Sequence, residues 1–332
     1  MKASLLFLDC PGVAVWVQWL IGMHWQKSLL ASASPERYLG RMTFLPRLYQ
    51  NSADWAAARQ KRILLFGMSG LGKTYVSDML RAQGEWFHYS VDYRIGTRYM
   101  GELISDEFKR EAMKVPHLRD LLMSDSIYIA SNITFNNLKP LSTYLGKPGD
   151  PSKGGLSIEE YRKRQQQHHE AERAALLDAP RFIERAEELY GYPHFVCDSG
   201  GSICEVVDPH DPQDEILRSL AGSMLLVWIK GSEAHSDELV RRFDKAPKPM
   251  CYRAAFTDAN WDEFLRENNV KEEEVDPNAF VRFAYRRAMA SRQPAYAAMA
   301  RNWGVTVSAE EVSDAKSAEA FEALIGRAIE RA

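Results

Sequence analysis

The chain has 332 residues, 45% of them apolar and 26% charged, with a formal net charge of −3. That length holds one large α/β domain with an insertion, or two small domains. The charge excludes a global basic field for nucleic acid, and the four scattered cysteines (Cys10, Cys197, Cys204, Cys251) contain no C-x-x-C pair, so neither a zinc site nor a disulfide framework is expected. A reducing, cytoplasmic compartment fits that cysteine usage.

Residues 1–41 are atypical. Leu5-Leu6-Phe7-Leu8 and residues 13–25 are apolar, but Asp9 and Pro11-Gly12 interrupt them. No uninterrupted run reaches the length of a bilayer span, and no signal-peptide pattern is present, so no membrane association is expected. Met42 opens a more ordinary stretch, and translation from Met42 is the expectation for this end, with a peripheral membrane or partner-binding segment as the alternative.

The chain is organised around residues 62–80. Arg62-Ile63-Leu64-Leu65-Phe66 is a strand-type run, followed by Gly67-Met68-Ser69-Gly70-Leu71-Gly72-Lys73-Thr74 and then by a helical stretch with Val76, Met79 and Leu80 on one face. Strand, glycine-rich turn and helix are the context in which Gly-x-x-x-x-Gly-Lys-Thr means a phosphate-binding loop. A triphosphate must be wrapped closely by backbone N–H groups, and Gly67, Gly70 and Gly72 supply the room. The helix points its positive end at the anion, Lys73 reaches the β- and γ-phosphates, and Thr74 offers a hydroxyl to Mg²⁺.

Residues 86–92 read as a second strand ending at Asp92, at the edge where ligands sit in parallel α/β sheets; a helix N-cap is the plainer role for that residue. The stretch 93–193 is too long for a simple crossover and is expected to hold inserted helices, including 102–113, a charged helix entered through Ser157-x-x-Glu160 and ending near Asp178, and another from Pro180 to Tyr190. His168-His169 invites a metal reading, but adjacent helical residues point about 100° apart and make poor co-ligands. His194-Phe195-Val196-Cys197-Asp198 is a third strand, ending in a carboxylate suited to Mg²⁺ and followed by the Gly200-Gly201 turn. Residues 224–229 form a buried fourth strand, and residues 238–253 carry a basic lid-like segment with Arg241, Arg242, Lys245, Lys248 and Arg253. Asp276-Pro277 opens a helix, a short helix follows Arg292-Gln293-Pro294-Ala295-Tyr296, residues 304–308 form the fifth strand, and a last helix buries Phe321, Leu324, Ile325, Ala328 and Ile329.

Taken together, these features resemble the small-molecule kinase branch of P-loop proteins, of which shikimate kinase and gluconate kinase are look-alikes. The resemblance rests on the loop at 67–74, Asp92-x-x-Ile95, Gly200-Gly201, the lid cations and Arg292-x-Pro294-x-Tyr296-x-x-x-Ala300. It implies a five-stranded parallel sheet of order 2-3-1-4-5 flanked by helices, with ATP and Mg²⁺ as cofactors. It further implies Thr74 and Asp198 at the metal, Lys73 and Asp92 at the reacting groups, Arg242 on the nucleotide, and Arg292 holding the reacting anions. Ser90 departs from the family, standing where shikimate kinases carry an aspartate. The expected organisation is an extension over 1–41, a kinase core over 42–99 and 194–332, and a helical insertion over 100–193.

The expected activity is ATP- and Mg²⁺-dependent phosphoryl transfer to a small hydroxyl-bearing metabolite, with no nucleic acid. The alternatives are an ATPase coupling hydrolysis to a conformational change or to a protein partner bound through 100–193, and a nucleotide-binding module with little chemistry. The guanine-specifying Asn/Thr-Lys-x-Asp signature is absent, which favours ATP.

Overall fold

Five short apolar runs pair into a single all-parallel sheet: β1 (Arg62–Phe66), β2 (Trp86–Ser90), β3 (His194–Asp198), β4 (Leu225–Lys230) and β5 (Gly304–Ser308). Their spatial order is β2-β3-β1-β4-β5. The computed structural model describes residues 43–332. The expectations for residues 1–41 therefore lie outside the described residues. Central parallel strands are covered on both faces, which is why β1 and β4 read as continuous apolar runs rather than alternating ones. Ile63, Leu64, Leu65, Phe66, Leu226, Val227 and Ile229 are all fully buried. Each such side chain contributes roughly 1.5–3 kcal/mol of transfer free energy.

The helices follow in chain order: α1 (Ser52–Ala57), α2 (Lys73–Ala82), α3 (Val91–Arg94), α4 (Gly101–Ala112), α5 (Pro116–Met123), α6 (Lys139–Leu145), α7 (Ile158–Tyr190), α8 (Ile203–Val206), α9 (Glu215–Ala221), α10 (Glu233–Lys245), α11 (Ala254–Asn268), α12 (Pro277–Trp303), α13 (Ala309–Asp314) and α14 (Ala318–Glu330). Strand order and the loop between β1 and α2 together make this a P-loop NTPase α/β fold, as the sequence implies. Among the described residues, no helix is long and apolar enough to cross a membrane.

Three local expectations change. β2 ends at Ser90 rather than Asp92, because the Ser90 hydroxyl accepts the Tyr93 N–H and starts α3 there. Asp92 is thus an acidic residue in a helical first turn, not its cap. α7 is one helix of 33 residues, with Pro180 inside it. Interior proline costs about 3 kcal/mol, yet the seam of Ala171, Ala175, Leu176, Ala179, Ile183 and Ala186 stays buried straight through it. Packing of that face outweighs the lost hydrogen bond. α12 likewise runs unbroken past Arg292 and Pro294, holding Phe280, Ala284, Ala288, Tyr296 and Met299 in the core.

Register delivers the site. Leu65 and Ser90 both pair with Asp198, so the C-terminal ends of β1, β2 and β3 finish side by side. In an open parallel sheet, that edge is where ligands bind.

Candidate active site

The loop after β1 turns on glycines with left-handed backbone: φ is +132° at Gly67, +92° at Gly70 and +95° at Gly72. A Cβ on Gly67 would lie 2.7 Å from the Ile229 carbonyl oxygen. Met68 and Leu71 bury their side chains in the core, which leaves only their main chain for a ligand. Gly72 caps α2 without any side-chain hydrogen bond, so the first N–H groups of α2 lack a capping side chain. Lys73 is 6% exposed, and its Nζ donates to the carbonyls of Gly67 (2.9 Å) and Met68 (3.1 Å). Burial lowers its pKa, while Asp198 and Asp92 push the other way.

Thr74 Oγ1 donates to Asp198 Oδ2 at 2.7 Å. Both are oxygen donors, the ligand type that Mg²⁺ takes, and the sheet register already brings them together. Asp92 is half-buried across the same crevice. Burial raises its carboxyl to a pKa of about 6, Asp198 adds to the rise, and Lys73 and Lys248 oppose it. The Gly200–Gly201 turn lies against it: a Cβ on Gly200 would come 2.5 Å from Asp92 Oδ1, and one on Gly201 would come 2.5 Å from Ser69 Oγ. A Cβ at either position would push the Asp92 or Ser69 side chain aside, so the two glycines leave room for these groups to lie against the turn.

Two cavities meet at these residues. One, of 330 Å³, is lined by loop residues including Ser69, Gly70, Gly72, Lys73 and Thr74, with Asp92, Asp198 and Gly201. The other, of 260 Å³, shares Ser69, Asp92 and Gly201 and extends past Leu141, His168, Lys248 and Cys251. Of the residues lining this second cavity, Asp92, His168, Gly201, Lys248 and Cys251 are already noted in the sequence, whereas the segment 138–145 carries no recognisable motif.

Two expected residues are elsewhere engaged. Arg292 does not offer its guanidinium to an anion: it is 2% exposed, and Nε, Nη1 and Nη2 donate to Glu205 Oε1 (2.7 Å), the Gly201 carbonyl (3.0 Å) and the Cys251 carbonyl (2.5 Å). Tyr296, one turn on, donates to the same Gly201 carbonyl at 2.6 Å. The Arg-x-Pro-x-Tyr signal therefore marks a buried support for the glycine turn. Arg242 is exposed, and its Nε donates to Glu238 Oε1 at 2.7 Å, with Arg241 on the other oxygen of that carboxylate. Arg253 is held by main-chain carbonyls, including that of Glu205 at 2.9 Å. Of the basic segment, Lys248 is the residue that lines the crevice.

Behind the turn, Glu172 on α7 is fully buried and accepts from Ser202 Oγ at 2.9 and 2.7 Å. Burial raises its pKa to about 8 and lowers that of His168, one turn before, to about 4. The sequence reading sets the adjacent His168-His169 pair aside as co-ligands; the residue that shares a helix face with His168 is Glu172, four positions on.

No family model matches the sequence, and no curated protein matches it. Among solved structures, one match is a shikimate kinase from Bacteroides thetaiotaomicron, at 14% identity over 82% of this chain and 95% of that chain, with a TM-score of 0.35. A likeness of that size carries no argument; the fold assignment stands on strand order and loop geometry.

Proposed function

We propose that the chain is an ATP- and Mg²⁺-dependent phosphotransferase acting on a small hydroxyl-bearing metabolite in a reducing, cytoplasmic setting. The observation that carries this reading is the meeting of three things in one crevice. They are a glycine loop with Lys73 behind it, the 2.7 Å Thr74–Asp198 pair, and the Asp92 carboxyl at the mouth of a second cavity.

Each residue then has a chemical task. The loop amides and Lys73 hold the triphosphate, exchanging the lysine's two carbonyl partners for phosphate oxygens. Thr74 and Asp198 would hold Mg²⁺, which when bound neutralises charge on the phosphates. Asp92 orients the acceptor hydroxyl and takes its proton; a base with pKa about 6 is ionised at neutral pH yet still basic enough to help. Lys248 adds a positive charge at the second cavity. Arg292 and Tyr296 act as positioning residues, fixing the turn against which the acceptor lies.

ATP turnover measured with and without a panel of small hydroxyl compounds, with product masses recorded, tests this. Stimulation by one compound together with its phosphorylated product is the expected result. Strong turnover independent of any acceptor favours an ATPase, working on a partner through 100–193, and binding without turnover favours a nucleotide-binding module. Absence of Mg²⁺-dependent affinity for ATP or GTP sinks the whole reading.

A further inference from the structure

We propose that His168, Glu172 and Cys251 form a second metal site, for Zn²⁺, in the wall of the cavity beyond Asp92. It is separate from the nucleotide loop and stands whether or not the chain transfers phosphate. His168 and Glu172 are four residues apart on α7 and so project from one face. His168 Nδ1 lies 3.8 Å from Glu172 Oε2. Cys251 arrives from the loop between α10 and α11, and one ligand atom from each of the three lies within 4.8 Å of the others.

The loop that brings the sulfur is already fixed on α7. Gln165 Nε2 donates to the Met250 carbonyl (3.1 Å), Gln165 Oε1 accepts from the Tyr252 N–H (2.8 Å), and Arg292 donates to the Cys251 carbonyl. In a tetrahedral zinc site the ligand atoms stand about 3.5 Å apart. The three therefore close on the ion by side-chain rotation, with the backbone staying in place.

A second observation points to a ligand. His168 is 6% exposed, yet among the described residues its Nδ1 has no hydrogen-bond partner. Leaving a buried nitrogen unmatched costs about 1–3 kcal/mol. Glu172 is 0% exposed, and among the described residues no lysine or arginine pairs with it. Charge balance completes the case: neutral imidazole, carboxylate and thiolate sum to two negative charges, which one dication cancels in a buried site. Mixed nitrogen, oxygen and sulfur ligation suits borderline-soft Zn²⁺ better than Mg²⁺ or Ca²⁺. Ser202, donating to both Glu172 oxygens, orients the carboxylate from behind. Three protein ligands leave the fourth position open. His168 and Cys251 both line the 260 Å³ cavity, so that position takes water or an oxygen or nitrogen donor of a small molecule held there.

The test uses the full chain. Metal content is measured after purification; stripped protein is then titrated with Co²⁺ and followed by absorbance. The expected result is one Co²⁺ per chain with d–d bands of tetrahedral intensity and a thiolate-to-cobalt charge-transfer band, displaced by Zn²⁺. Cys251→Ser removes the charge-transfer band, Glu172→Gln weakens Co²⁺ affinity at least about tenfold, and Cys204→Ser leaves the band in place. Absence of a charge-transfer band in the wild-type chain overturns the proposal without any variant, and so does a band that survives Cys251→Ser. Should Cys251→Ser fail to fold, the isosteric Glu172→Gln decides: unchanged affinity in that variant also overturns it.

Discussion

The two ends of the crevice are made of different material. The loop end, proposed above to hold the phosphates, is built largely from the main chain of one stretch, 67–74, with Lys73 and Thr74 added. The end beyond Asp92 is walled by side chains from segments far apart in sequence, among them Leu141, His168, Lys248 and Cys251. Main-chain N–H groups look alike in any protein and suit any triphosphate. Side chains of differing size and charge are what select one acceptor over another. One end is therefore generic and tolerant of its neighbours, and the other carries identity.

The sharpest way to break that contrast is Lys73→Ala. Turnover is expected to fall by a factor of about a thousand or more, with the far-ultraviolet circular dichroism unchanged. Retained activity would remove the loop from the mechanism. Asp92→Asn probes the boundary between the ends: turnover falls about 10²–10⁴-fold while nucleotide affinity, measured by titration calorimetry, stays the same. If Asp92 is the base, the wild-type pH–rate profile is expected to lose activity as pH drops through about 6. Its stability effect has the opposite sense. The folded pKa is raised from 3.8 to about 6, so the group favours folding fully below its unfolded value and loses that contribution as pH rises through about 6. Above that pH, Asp92→Asn should unfold at a higher temperature than the wild type, and below pH 4 the two should converge.

Arg292→Met reports on the support beneath the second end. It removes the 2.7 Å partner of buried Glu205 and leaves only the longer pair to Arg253 at 3.8 Å, so a lowered denaturation midpoint is expected. Changing Glu205→Met in the same chain should recover only the part of the loss due to the buried carboxylate, because the Gly201 and Cys251 carbonyls still lack their donor. The smallest effect is expected at Arg242→Ala. Its ion pair is on the surface, and neither nucleotide affinity nor thermal midpoint should move measurably. A large loss of nucleotide affinity there would place the lid on the phosphates after all.

The same contrast governs how much was legible in sequence. The strands, the loop and Asp198 announce themselves because each depends on neighbours within a few residues: apolar runs, glycines, a carboxylate at a strand end; the order of the strands comes only through the resemblance. His168 and Cys251 are visible singly in the sequence, but their meeting with Glu172 is not, because only tertiary packing joins α7 to the loop after α10. Arg292 was visible but assigned the wrong task; nothing in a linear string tells a buried guanidinium that supports carbonyls from one that greets an anion. Pro180 and Pro294 were taken as boundaries because proline disfavours helix locally. The apolar seam that carries α7 and α12 past them is a property of the whole face, and a few adjacent residues do not reveal it.

The unbroken α7 has one further consequence. At 33 residues it is about 50 Å long, and its one missing rung is at Pro180, where the Leu176 carbonyl finds no N–H to receive. Just ahead of that rung, Arg94 and Tyr99 both clamp Asp178, and Tyr89 grips the Ala175 carbonyl. The weak joint thus falls between a bolted section, which carries His168 and Glu172, and a final stretch that hands the chain to β3 through Gly191. Substitutions between 181 and 191 are expected to be absorbed at that joint, with the cavity wall keeping its alignment.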